Sequence, residues 1–194
     1  MRTQIGQHTR EHRIVRWESA PWTIDGRIDG LYGDQLLRAR CAAIKAKDLV
    51  SAWIEHLLVN LASPGITTRL VDRDGAFHIF RPPAKIEITN NLVEDLLTRY
   101  GSGLTQPLKF FPQSSLAYAE AALKAGERDH WSDGGLRAAI RFWQPNEFSR
   151  SASDSEDPWN ALIYGDRLPF DDRFRDTAIA FFEPLLTHFE GDLP

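Results

Sequence analysis

Sulfur is nearly absent from this chain: Cys41 and Met1 are the only cysteine and methionine in 194 residues. A lone thiol closes no disulfide. It also excludes sites that need several thiolates, such as an all-cysteine zinc site or a four-cysteine iron–sulfur cluster. Cys41 itself, at a strand end among alanines, reads as a buried structural thiol. Long apolar runs are missing too: no stretch of 18 or more apolar residues occurs, so no transmembrane helix is expected. No apolar segment follows Met1-Arg2-Thr3-Gln4, so no secretory signal is expected. A glycine-rich phosphate loop of Walker type is lacking, which removes an ATP site. The six histidines show no ligand spacing; His8 and His12 lie four apart, but in an N-terminal arm. No metal and no cofactor are expected. These absences fit a reducing, cytoplasmic address.

What is present is ordinary for a soluble domain, with 42% hydrophobic and 26% charged residues. The length suits one domain, alone or with an appendage, and is enough to bury a core without staples. The net charge of −4 is uneven: residues 1–50 carry +3 and residues 151–194 carry −7. The acidic quarter suits a solvated face or a surface turned to a protein partner; the basic quarter suits phosphate.

Periodicity divides the chain. Residues 13–42 read as strands, with Ile14, Trp17, Trp22, Ile24, Ile28, Leu31, Leu36 and Leu37 set among charged residues. Gly33-Asp34 is a hairpin loop with glycine first, as a type II′ turn requires. From Lys47 the period becomes helical: Leu49, Val50, Trp53, Ile54, Leu57, Leu58 and Leu61 recur at three- and four-residue steps until Ser63-Pro64-Gly65. A strand pair follows at 66–71 and 77–80, around the turn Asp72-Arg73-Asp74-Gly75. Thr89 or Asn90 is expected to cap a helix through Tyr100, and Ser114 or Ser115 one through Leu123. A helix is predicted over 136–143 and a polar, mobile loop over 144–157. Asp157 and Pro158 then stand as cap and first residue of a helix, and 171–189 forms the last one. The expected fold is α/β, a mixed sheet flanked by helices with a helical C-terminal half. The expected boundaries are an arm over 1–12, an α/β core over 13–104, and a helical extension over 105–194 packed on it.

The aromatic residues Trp53, Phe142 and Phe181 fall on apolar periodicities and are expected in the core. His56 reads as a helix-surface or capped-core residue. Phe110 and Phe111, bracketed by Pro107 and Pro112, either plug the seam between sheet core and helical half or anchor a partner or unstacked bases. The restricted backbone favours the plug for at least one of them.

The segment Gly26-Arg27-Ile28-Asp29 carries the most chemical information. With Gly33-Asp34 as the loop, paired positions set Asp29 opposite Arg38 and Arg27 opposite Arg40. A period of two then puts all four side chains on one face. A cross-strand Asp29–Arg38 salt bridge is expected. Asp25 lies roughly 13 Å along the same strand, while Glu18 and Glu55 are the carboxylates that could approach Asp29.

This hairpin resembles the PD-(D/E)XK nucleases of the RecB-type branch. There a strand ending Gly-x-Ile-Asp is followed by a hairpin, a strand carrying Asp-x-Lys, and a helix. The two carboxylates share Mg²⁺ and the lysine orients the attacking water. The resemblance gives Asp29 the first carboxylate position, Arg38 the second and Arg40 that of the lysine. A guanidinium cannot ligate Mg²⁺ and would place a cation where the metal belongs. Asp29, Arg38 and Arg40 would thus form a vestigial nuclease site with no catalytic residue and no bound metal. Arg27, Arg38 and Arg40 are candidate DNA contacts.

Four further stretches, in order, resemble the C-terminal domain of RecC, the gamma subunit of exodeoxyribonuclease V. They are Lys45-Ala46-Lys47-Asp48-Leu49, Trp53 to Leu57, Pro107-Leu108-Lys109-Phe110-Phe111-Pro112 with Ala117-Tyr118-Ala119, and Asp154 to Trp159. That resemblance implies an inactivated nuclease-like fold in a RecBCD-type helicase–nuclease for double-strand-break repair and recombination. It implies RecB-like or RecD-like subunits as partners, with DNA met inside the complex and no membrane. The domain alone is not expected to be an enzyme. A whole RecC is several times longer, so strand splitting and hotspot scanning are not carried over to this chain. The related AddB family needs four cysteines and does not fit. Two alternatives stand: a Mg²⁺-dependent nuclease using Asp29 with a relocated carboxylate, and a pure protein-interaction module, as the acidic C-terminal quarter suggests.

Overall fold

A computed structural model describes residues 9–145 and 152–194. It divides into two units, Met1–Gly101 with His188–Pro194, and Ser102–Thr187.

The first unit is built on a six-stranded sheet whose strands lie in chain order. They are β1 (Glu11–Ser19), β2 (Trp22–Tyr32), β3 (Gln35–Ala39), β4 (Thr67–Val71), β5 (Phe77–Phe80) and β6 (Phe189–Glu190). All neighbours are antiparallel except β3 and β4, which pair in parallel from Gln35↔Thr67 to Ala39↔Val71. A parallel pair needs a crossover, here the helix α1 (Ala46–Ala62). The mixed sheet with helices is the expected α/β fold. Leu31↔Leu36 and Tyr32↔Gln35 reproduce the hairpin register read from the sequence. Gly33 alone of the two loop residues has positive φ, +62°.

The sheet core joins Val15, Ile28, Leu31 and Leu36 to Val59 of α1 and Ile66, with Ile24 partly buried against them. Ile24 and Ile28 have even numbers and Leu31 an odd one, so the alternation of β2 breaks between them. The cause is a bulge: β1 pairs Glu11 with Leu31 but His12 with Asp29, leaving Gly30 as the extra residue. An extra residue reverses which face each later side chain takes. Gly30 has φ +87°, and a Cβ there would lie 2.9 Å from Arg38 Nη1. Only glycine suits both conditions.

The helix α2 (Ile86–Gly103) starts before its expected caps. Thr89 is buried, and the Asn90 side-chain oxygen accepts a hydrogen bond from Trp17 Nε1 at 2.9 Å. Neither residue caps the helix: Thr89 is buried within it and Asn90 is committed to Trp17. Cys41 is exposed rather than buried, because β3 ends at Ala39 and the chain bends away before α1.

The second unit holds α3 (Pro112–Lys124), α4 (Asp133–Trp143), a 3₁₀ turn (Asp154–Glu156), α5 (Pro158–Tyr164) and most of α6 (Asp172–His188). Pro112 opens α3 where its missing N–H costs nothing, and Ser115 Oγ accepts from Phe111 N–H at 3.0 Å. Ser132 caps α4, its Oγ accepting from Gly135 N–H at 2.9 Å. Asp157 caps α5 as expected, accepting from Trp159 N–H at 3.0 Å and Asn160 N–H at 3.3 Å. The mobile loop expected over 144–157 falls partly on residues 146–151, which lie outside the described residues; Asp154–Glu156 is an ordered turn. Phe142 is 40% exposed while Trp143 is buried, so the apolar stripe of α4 sits one residue from its expected phase.

Candidate functional site

The bulge decides the geometry of the hairpin site. Asp29 lies before Gly30, on the face opposite Ile24 and Ile28. Arg38 shares the parity of Leu36, on the face that α1 covers. The two side chains therefore do not meet, and the expected Asp29–Arg38 salt bridge is replaced by other contacts. Arg27 Nη2 holds the Asp29 carboxylate at 3.0 Å, an exposed pair two residues apart on one strand. Arg38 Nη1 donates instead to the Asp29 backbone carbonyl at 2.8 Å, and its Nε holds the Glu55 carboxylate of α1.

Arg40 follows the same logic. It is ion-paired with Asp48 in the first turn of α1. The second oxygen of that carboxylate accepts from Lys45 N–H at 2.8 Å and so ties off the helix start. Asp48 and Glu55 are seven residues apart, two turns of one helix, and so form a column of acids facing the column Arg38, Arg40. The sequence offered this signal in the spacing alone. Both arginines are roughly one quarter exposed, against 59% for the Arg27 side chain.

The carboxylates considered for a relocated metal site are dispersed. Glu18 faces Thr23, six residues along β2 from Asp29, whose own cross-strand neighbour is His12. Asp25 is ion-paired with Arg16 at 3.7 Å. Glu55 is committed to Arg38 on the other side of the sheet. Mg²⁺ needs hard oxygen ligands gathered in an octahedral shell. Arg38 and Arg40 bring nitrogen donors and positive charge to the positions where the nuclease pattern has a ligand and a lysine, so the residues present do not fit the ion. Among the described residues no three His, Cys, Asp or Glu side chains gather as a metal-binding group.

A buried polar cluster lies behind the site. His56 of α1 is fully buried, its Nδ1 2.9 Å from Thr68 Oγ1 and its Nε2 3.2 Å from the Arg81 carbonyl. Burial lowers its pKa to about 4, the Arg81 carbonyl opposing and the charge of His188 assisting. Asn60, one turn on, donates to the carbonyls of His56 and Ile66 at 2.9 Å each and accepts from Gly65 and Ile66 N–H at 3.0 Å each. This fixes α1 to β4, and with it Glu55 and Asp48. Of the two readings of His56, helix surface and capped core, the structure shows the second.

Phe111, expected as a plug, is buried in the helical unit's own core. Its ring meets Trp143 at 4.8 Å, Tyr164 at 5.5 Å and Phe174 at 6.0 Å, all in Ser102–Thr187. Pro112 opens α3 behind it and turns the ring inward. Phe110 is half-buried against Phe181 and Phe182. Trp53 and Phe181 are buried as expected.

Two features of the second unit escaped the sequence reading. Asp154 is buried and accepts from Ser114 N–H at 2.7 Å and Ser114 Oγ at 2.8 Å. Burial pushes its carboxyl pKa up, against those hydrogen bonds. And α5 buries none of its residues.

Sheet and crossover helix define an α/β domain whose hairpin arginines are held by acids of the crossover helix. The RecC C-terminal domain family matches residues 1–123, nearly two thirds of the chain, which thus belongs to that family. The match spans β1 to β5, α1, α2 and all but the last residue of α3. Membership gives the chain a RecC-related role in the setting of a RecBCD-type complex of DNA repair and recombination. No curated protein matches the chain. Among the described residues no helix is long and apolar enough to cross a membrane.

Proposed function

We propose that this chain is a catalytically silent, nuclease-like domain that serves subunit assembly and DNA guidance in a RecBCD-type helicase–nuclease of the cytoplasm. Its partners are RecB-like or RecD-like subunits, and it meets DNA within that complex. One observation carries the reading: Arg38 and Arg40 stand where the nuclease pattern has its carboxylate and lysine, each held by an acid of α1. A guanidinium cannot coordinate Mg²⁺, and Asp29 has turned to the other face. Among the described residues, phosphoryl transfer by two-carboxylate metal chemistry has no ligand set. The same arginines, with the more exposed Arg27, suit contact with a phosphate backbone once a partner subunit shapes the path.

The test is cleavage of linear duplex and single-stranded DNA by the purified chain with Mg²⁺ or Mn²⁺. No cleavage above background is expected, and metal-dependent cleavage abolished by Asp29→Asn would overturn the reading. The double change Arg38→Asp with Arg40→Lys rewrites the missing Asp-x-Lys. It is expected to restore little or nothing, because Asp29 stays on the wrong face and Glu55 would meet a like charge. Strong recovered cleavage would show an otherwise intact pocket. DNA binding is read by its salt dependence, since removing one phosphate-binding side chain lowers the slope by about one. Arg27→Ala, Arg38→Ala and Arg40→Ala are each expected to flatten it.

A further inference from the structure

The helix α5 is inverted. A surface helix ordinarily turns its apolar stripe to the core and its polar face to water. In Pro158–Tyr164 the side chains at i, i+3 and i+4 are Trp159, Leu162 and Ile163, and they are 71%, 76% and 42% exposed. Leu168, just beyond the helix, is 48% exposed. Contiguous exposed apolar groups of this kind mark interaction sites in stable proteins.

The orientation is held by the opposite face. Asn160 Nδ2 donates to the Asp154 carbonyl at 2.8 Å, and the Asp154 carboxylate is in turn clamped to Ser114 of α3. Four residues on, Tyr164 packs edge-on against Phe111 at 5.5 Å and Trp143 at 5.9 Å. Asp157 secures the first turn. Asn160 and Tyr164 share one side of the helix, so pinning them fixes Trp159, Leu162 and Ile163 outward. A surface held ready in this way loses little freedom on binding.

The charge around α5 selects the occupant. Between residues 152 and 172 the chain has six acidic residues and one basic, Arg167. Asp171 and Asp172 are ion-paired with Lys109 and Arg175. Among the described residues, Glu156, Asp157 and Asp166 have no lysine or arginine in ion-pairing distance. An acidic rim repels phosphate, which excludes DNA. A twofold dimer through α5 would bring like charges together, which disfavours a second copy.

We propose that the outward face of α5 is a docking surface for another protein subunit, one that offers an apolar groove bordered by lysines and arginines. This rests on the assembly role proposed above and assigns it to a place. It lies beyond the residues that the RecC C-terminal domain family matches.

The experiment measures binding of the full chain to purified RecB-like and RecD-like subunits from the same source, by calorimetry at two salt concentrations. Trp159→Ser with Leu162→Ser is expected to weaken binding at least tenfold while leaving the melting temperature unchanged, since both side chains are exposed. Asp166→Lys is expected to weaken it several-fold and to flatten its salt dependence. Unaltered binding by the double variant would overturn this proposal and leave the assembly role standing. Failure of the unaltered chain to bind either subunit would overturn the assembly role itself. Sedimentation equilibrium showing self-association that the double variant abolishes would assign the face to a second copy and overturn the proposal.

Discussion

In the sheet unit, several polar groups close to the core have specific partners: Arg38 with Glu55, Arg40 with Asp48, His56 with Thr68, Asn60 with four backbone groups. In the helical unit the large buried side chains are mostly rings, with Phe111, Tyr118, Trp143, Phe170 and Phe174 linked by ring contacts beside the buried Asp154–Ser114 pair, and apolar side chains are left outside on α5. The two interiors fail differently. Buried polar groups depend on directional partners and protonation state, so removing one strands another. Ring packing depends on volume and is indifferent to pH.

The largest expected effect comes from the ring core. Phe111→Ala should lower the stability of the chain by about 3–5 kcal/mol, the usual cost of emptying a buried phenylalanine site. Phe110→Ala, half-exposed, should cost about 1–2 kcal/mol. Denaturant unfolding of both variants checks this; two equal losses would dissolve the distinction between core ring and surface ring.

Acid should act on the sheet unit next. The pKa of His56 is lowered to about 4 in the folded chain from an ordinary 6.5, so folding favours the neutral ring. Its contribution is fully present above the ordinary value and is lost as pH falls from there through about 4. The gap corresponds to about 3 kcal/mol. Asp154 in the helical unit has the opposite sign: its raised pKa means that any stability it lends is present in acid and declines as pH rises. Melts between pH 7 and 4.5 should show loss of stability, and His56→Gln should flatten that slope. An unchanged slope in the variant would move the acid sensitivity elsewhere.

A smaller loss is expected at the bulge. Gly30→Ala forces a side chain into the left-handed region and against the Arg38 guanidinium, at about 1–2 kcal/mol. The smallest effect is the ion pair itself. A double-mutant cycle on Arg38→Gln and Glu55→Gln should give a coupling below about 1 kcal/mol, because solvent screens both groups. A larger value would make the arginine–acid columns a stability device as well as a geometric one.

Much of the sheet was legible in the residues. The hairpin register, the strand pair at 67–71 and 77–80, and α1 all follow from periodicity and turn chemistry. The candidate site was not, for one local reason: arithmetic with a period of two assumes no inserted residue, and Gly30 inserts one. That single residue moved Asp29 away from Arg38. Cys41 and Phe142 illustrate a related weakness, since one position of error at the end of a strand or in the phase of a helix exchanges inside for outside. The last helix, expected through Phe189, gives way there to strand; two residues of strand are too few to show a period. The α5 face was hidden for a different reason, since Trp159, Leu162 and Ile163 at helical spacing look like core until Asn160 and Tyr164 are seen to hold the other side.

The last strand also sets an order of events during synthesis. β6 pairs Phe189 with Phe80 and Glu190 with Ile79, and Arg81 reaches Glu190 at 2.8 Å. The outer edge of β5 therefore waits for partners that emerge only after residues 102–187 have been made, roughly 4–17 s at rates of roughly 5–20 residues per second. Through that interval the nascent sheet offers a strand edge to any neighbouring chain. Translation speed across the helical unit thus governs how long this protein is open to mispairing.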